Sequence, residues 1–176
     1  MKIIDPYALQ GTPLMMSEEM QDNASYFDVS QYSVLIVEDQ LGYRELICEA
    51  IAELYAHVKI QVAKDGAEAW NLLDQQRERP SLIIVDLNLP KISGLELLKK
   101  IKTDQCLHVI PVIIFSTSQD ENDILKCYQA QSNCFITKPR DIDTFFDVVQ
   151  SMVTFWFNLV PLPNQVASNT LVSCNK

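Results

Sequence analysis

Leu82-Ile83-Ile84-Val85 is a run of four apolar residues, three of them β-branched, that stops abruptly at Asp86. Such a run reads as a strand buried on both faces, the habit of parallel sheets covered by helices. A charge can follow it only where the strand meets solvent, at the sheet's carboxyl edge. In open α/β sheets that edge is where ligands bind. Pro90 and Gly94 break the chain before the next helical pattern, so Asp86 lies at a strand-to-loop junction. A lone Asp there is better read as a turn residue or a helix cap. Whether it is more depends on what converges beside it.

The same grammar recurs along the chain. Tyr32 to Val37 is a second apolar strand, and it ends in Glu38-Asp39. From Leu41 the period becomes 3.6, with Leu46, Ile47, Ala50, Ile51 and Leu54 on one face, predicting a helix to about Ala56. Val58 to Val62 alternates, as an edge strand does. Asp65 is placed to cap a helix from Gly66 to about Gln76, with Ala69, Trp70 and Leu73 inward. Leu95, Leu98 and Ile101 mark a third helix after Gly94. Pro111 to Phe115 is a strand that ends in Ser116, and Asp120 to Gln131 is a short helix with Ile124, Leu125 and Tyr128. Cys134 to Ile136 is a last strand, followed by Lys138-Pro139, and Asp141 opens the longest helix, to about Leu159. Five strands alternating with five helices predict a flavodoxin-like, doubly wound α/β fold, with a parallel sheet in the order 2-1-3-4-5. The expected domain spans 32–160, between a flexible arm at 1–31 and a flexible tail at 161–176.

Charge and cysteine content narrow the function. A net charge of −9, with Lys99-Lys100 the only adjacent basic pair, leaves no basic patch for nucleic acid. The five cysteines form no C-x-x-C pair and read as reduced thiols, which points to a cytoplasmic protein. Two histidines without ligand spacing give little material for a zinc site or a Ser-His-Asp triad. No apolar stretch is long enough to span a membrane, and the first residues do not form a signal peptide.

In the expected fold, strand ends bring together Glu38, Asp39, Asp86, Ser116 and Lys138. Three carboxylates in one crevice repel, and a hard divalent cation held by oxygen ligands relieves that, which suits Mg²⁺. A carboxylate beside such a cation can attack a phosphoryl group, with a hydroxyl and an ammonium completing the charge stabilisation. No phosphate-binding glycine loop is present, so the phosphoryl donor is expected to be another molecule.

These residues, in this order and at these separations, resemble the receiver domain of two-component response regulators from Tyr32 to about Leu159. Val37-Glu38-Asp39 matches the acidic pair, Asp86 the phosphoacceptor, Ser116 the hydroxyl residue, Lys138-Pro139 the Lys-Pro pair, and Phe135 the switch aromatic. Asp86 to Lys91, Ser132 to Lys138, and the Phe155-Trp156 pair ahead of Pro161-Leu162-Pro163 further resemble small regulators paired with cyanobacterial phytochromes. The resemblance implies Mg²⁺ held by Asp39, Asp86 and the Asn88 carbonyl, with Glu38 acting through water. It also implies catalytic roles for Asp86, Ser116 and Lys138, a switch through Ser116 and Phe135, and a cis Lys138–Pro139 bond. Ser in place of Thr, Glu-Asp in place of Asp-Asp and Phe in place of Tyr are mild departures.

The long last helix carries two apolar stripes where one suffices to pack on a sheet. Ile142, Phe146, Val149, Val153, Trp156 and Val160 form one; Phe145, Val148, Met152, Phe155 and Leu159 form the other, assigned here to a homodimer. The leading expectation is a single-domain regulator, with little enzymatic activity of its own, phosphorylated on Asp86 by a sensor histidine kinase, of phytochrome type by likeness. A receiver-like interaction module that never becomes phosphorylated is the first alternative. An aspartyl-phosphate phosphatase is the less favoured second, because such enzymes commonly place a second Asp where Asn88 stands.

Overall fold

The computed structural model describes residues 31–75 and 79–163. Ten elements alternate: β1 (Ser33–Val37), α1 (Leu41–Leu54), β2 (Lys59–Ala63), α2 (Gly66–Gln75), β3 (Leu82–Val85), α3 (Gly94–Thr103), β4 (Val112–Ser116), α4 (Glu121–Gln129), β5 (Cys134–Thr137) and α5 (Ile142–Asn158). The five strands form one parallel sheet in the order β2-β1-β3-β4-β5. The fold is the flavodoxin-like α/β arrangement that the alternating pattern predicts. β1, β3 and β4 sit in the middle and are apolar on both faces, because helices cover both sides.

Alternation along those strands divides the core in two. Val34, Ile36, Leu82, Ile84, Ile113 and Phe115 face α1 and α5. Leu35, Val37, Ile83, Val85, Val112 and Ile114 face α2, α3 and α4. The helices start on side chains suited to the task. Asp65 Oδ1 accepts from Glu68 N–H at 2.8 Å, Asp141 Oδ1 from Thr144 N–H at 2.9 Å, and Ser93 forms a reciprocal capping box with Glu96.

Several side chains fall elsewhere than their periodicity suggests. Leu54 and Val62 are exposed, at the end of α1 and on the edge strand β2, where no further layer covers them. On α4, Leu125 and Tyr128 face outward and Cys127 is the buried residue. On α5 the buried face draws on both stripes: Phe145, Val149, Met152, Val153 and Phe157 enter the core, whereas Ile142 is exposed. Phe145 and Met152 are therefore core residues and not free contact residues, because a helix packed against both the sheet and α1 is covered over a broad arc. Leu162, placed in the flexible tail by the sequence, is fully buried in the α1/α5 core; Pro161 ends the helix without ending the packing. The arm at 1–30 and the tail from 164 lie outside the described residues.

Two further expectations are corrected. The described residues contain no cis peptide bond, so Lys138–Pro139 is trans, the form an X–Pro bond intrinsically prefers. Cys48, Cys127 and Cys134 are free thiols whose ionisation burial opposes. Cys106 instead is disulfide-bonded. Sequence spacing alone does not reveal which cysteines a fold brings together. No described helix is long and apolar enough to cross a membrane.

Candidate functional site

Pairing continues one step past the strand ends. Glu38 N–H donates to Ala63 O at 3.0 Å, Asp86 N–H to Val37 O at 3.0 Å, and Lys138 N–H to Ser116 O at 2.8 Å. Side chains therefore keep alternating beyond the strands. Ile36, Ile84 and Ile136 face α1 and α5, and two residues later Glu38, Asp86 and Lys138 follow them to that side. Ile114 and Phe135 face the opposite layer, and Ser116 follows Ile114 there.

The first three meet. Lys138 Nζ donates to Glu38 Oε2 at 2.5 Å and to Asp86 Oδ1 at 3.0 Å, with the three side chains only 1%, 1% and 3% exposed. One buried ammonium thus bridges two buried carboxylates, and removing it would leave both without a counter-charge. Burial pushes the Glu38 carboxyl above its usual range, Lys138 pulls it back, and the Asp86 charge pushes it up again. Glu38 Oε1 also accepts from Gln40 N–H at 3.2 Å. Asp86 Oδ2 accepts from Asn88 N–H at 2.8 Å, so both oxygens of this carboxylate are held in place.

Asp39 stands at the solvent-facing side of the pair. One ligand oxygen from each of Glu38, Asp39 and Asp86 lies within 4.8 Å of the others. An all-oxygen set with an open, exposed member fits a hard divalent cation that keeps some of its water. A Cβ on Gly94 would fall 2.0 Å from the Asp86 carbonyl oxygen, so glycine allows α3 to start directly against the acid's backbone.

Ser116 is fully buried, and its Oγ accepts from Ser118 N–H at 3.4 Å. Phe135 is half-buried against the α2–α4 layer, beside Ile114 in the β4–β5 register. The expected switch pair therefore shares one side of the sheet, and the charged triad the other. Of the α5 residues assigned to pairing, Phe155 and Leu159 are 50% and 67% exposed, and Val148 is half-buried. A groove of about 550 Å³ runs between β5 and α5, lined by Cys134, Ile136, Val148, Met152, Phe155 and Trp156 among others.

Tyr43, Arg44 and Gly94 were not assigned to the site from sequence. Tyr43 places its ring centroid 4.5 Å from Lys138 Nζ, and Arg44 Nη1 donates to the Glu38 carbonyl at 3.2 Å. The position of Tyr43 and Arg44 at the start of α1, within six residues of Glu38, was the available signal.

Residues 34–150 match the response regulator receiver domain family. The response regulator Rcp1 of Synechocystis is 37% identical over 135 residues, covering 74% of this chain and 92% of Rcp1. The structure of the phosphorylated cyanobacterial phytochrome response regulator RcpA aligns with a TM-score of 0.73 at 38% identity, over 75% of this chain and 98% of RcpA. The Mn²⁺-bound form of Rcp1 aligns at 0.71 and 36% identity, over 75% and 99% of the two chains. The chain belongs to the response-regulator receiver family and is related within it to Rcp1 and to the cyanobacterial phytochrome response regulator RcpA.

Proposed function

We propose that Asp86 accepts a phosphoryl group from a phosphohistidine of a sensor histidine kinase of the phytochrome type. The observation that carries this reading is the buried Lys138 joining Asp86 to Glu38, with Asp39 alongside. Asn88 N–H and Lys138 Nζ hold the carboxylate at the mouth of the crevice. The bond from an Asp86 oxygen to phosphorus forms as the phosphorus–nitrogen bond to the imidazole breaks, and the ring nitrogen leaves.

Glu38, Asp39, Asp86 and the Asn88 carbonyl are the residues to hold Mg²⁺, the ion consistent with a Mn²⁺-bound Rcp1. When bound, the cation neutralises charge on the transferring group. Lys138 then exchanges Asp86 Oδ1 for a phosphoryl oxygen, and the Ser116 hydroxyl donates to another from the opposite side of the sheet. The movement of Ser116 frees room beside Ile114, and Phe135 follows it, biasing a two-state equilibrium. Asn88 supplies an amide where a hydrolase would place an acid, so autodephosphorylation is slow and the protein works as a switch.

The exposed Phe155 and Leu159 beside the β5–α5 groove support pairing with a second copy. Phos-tag electrophoresis after incubation with a phosphorylated phytochrome-type kinase tests the first claim. Asp86→Asn is expected to take up no label, and label retained in that variant refutes the assignment. Sedimentation tests the second: a monomer at high micromolar concentration, with and without phosphorylation, contradicts it.

A further inference from the structure

We infer that Tyr43 is a positioning residue for the phosphoryl site, holding the Lys138 ammonium through the face of its ring. The inference rests on Asp86 being the phosphoacceptor, and it adds a group outside the acidic cluster and the Lys-Pro pair. Lys138 Nζ spends two directions on Glu38 Oε2 and Asp86 Oδ1. A third side is occupied by the Tyr43 ring, 4.5 Å away at its centroid, with the Phe115 ring more distant at 5.8 Å. An aromatic face attracts a cation by its quadrupole, most strongly where water is excluded. The Lys138 side chain is 1% exposed, which meets that condition.

The ring is itself braced. Tyr43 stacks on Phe145 with centroids 5.6 Å apart and planes at 21°, and Phe145 lies 5.2 Å from Phe115. Phe115 and Phe145 are buried to 1% exposure, so the wall behind Tyr43 is fixed. The arrangement matters because Lys138 must change partners. When a phosphoryl group arrives on Asp86, the ammonium has to leave Asp86 Oδ1 without retreating onto Glu38, its shorter contact. Contact with a ring face has no single bonding direction. It keeps attracting the cation as it turns, whereas a hydrogen bond would tether it to one geometry. Tyr43 thus counts most once Nζ has given up Asp86 Oδ1 and has one carboxylate fewer to hold it, and it narrows where Nζ can go, which is the positional role.

Progressive fluorination of the ring tests this with the shape of the side chain nearly kept. Phenylalanine and its mono-, di- and trifluorinated analogues at position 43 lose ring-face attraction in steps. The measurement is the rate of phosphorylation by a small phosphodonor with Mg²⁺, read by intact mass, with thermal unfolding recorded for each protein. Tyr43→Phe is expected to stay within about two-fold of the parent rate, and the trifluorinated ring to slow it about 5- to 30-fold, the span of a buried cation–π contact. In a Lys138→Met background the same series is expected to be flat. A flat series in the parent background, or an equal slope in both, overturns the inference. Absence of phosphorylation in the unsubstituted protein would instead overturn the assignment of Asp86. Tyr43→Leu provides the second variant, with the Lys138 ε-methylene protons losing their upfield ring-current shift while the fold is retained.

Discussion

The two faces of the sheet are made of different material. Toward α1 and α5 the core is ringed: Tyr32, Phe115, Phe145 and Phe157 are buried, with Tyr32 and Phe157 centroids 5.0 Å apart. Toward α2, α3 and α4 the buried residues are aliphatic, among them Leu73, Leu97, Leu98 and Ile101, with Trp70 and Phe135 only partly buried. The charged triad lies on the aromatic side, and Ser116 and Phe135 on the aliphatic one. The two faces divide the labour. Stacked rings make a stiff wall with an electron-rich face, suited to holding an ammonium between two carboxylates. Aliphatic side chains of similar volume repack at lower cost, which suits the side proposed for the Ser116–Phe135 switch.

Deleting one large side chain from each face tests the division. Phe145→Ala should cost about 4 kcal/mol in urea unfolding and disturb the Lys138 side-chain resonances. Leu98→Ala should cost about 3 kcal/mol and leave those resonances in place. Equal disturbance of Lys138 by both would erase the distinction. Lys138→Met probes the charge that the aromatic face holds. Without divalent cation it should destabilise the protein by about 3 kcal/mol, because Glu38 and Asp86 remain buried without their partner. Added Mg²⁺ should recover part of that loss by binding only the folded form, and unfolding curves with chelator and with Mg²⁺ give the comparison.

The smallest effect concerns the helix caps, one on each side. Hydrogen bonds from Thr144 hold the Asp141 carboxyl at the start of α5 below its usual range, and those from Ser93 do the same for Glu96 on α3. A depressed carboxyl contributes stability that is present above its unfolded pKa and lost as pH falls through the folded one. Asp141→Asn keeps the capping oxygen but removes the titrating charge. The stability gap to the parent should be open at neutral pH and close as acid protonates Asp141. A gap that persists unchanged into acid would assign the effect to something other than that charge.

The sequence revealed strand centres and strand ends well, for a physical reason. Leu82–Val85 and Val34–Val37 must be apolar on both faces, so any charge after them marks the edge, and Glu38, Asp39, Asp86 and Lys138 were legible as a set. Partners across the sheet were less legible. Nothing in the spacing of Tyr43 says that its ring meets Lys138, since that contact depends on how α1 packs beside α5. The α5 stripes failed as a guide to Phe145 and Met152 for a related cause. An apolar residue on a helix can face the core or a partner, and only the position of the neighbouring layers decides between them.

Asp86, steadied by Asn88 and Lys138 among the acidic residues, is proposed as the phosphoryl acceptor. Fluorine NMR of beryllofluoride binding tests this directly, since beryllofluoride mimics a phosphoryl group on a carboxylate. Bound-fluoride resonances should need both Mg²⁺ and Asp86 and should vanish in Asp86→Asn. Resonances that survive that substitution, or that form equally well with the divalent cation chelated, would contradict it.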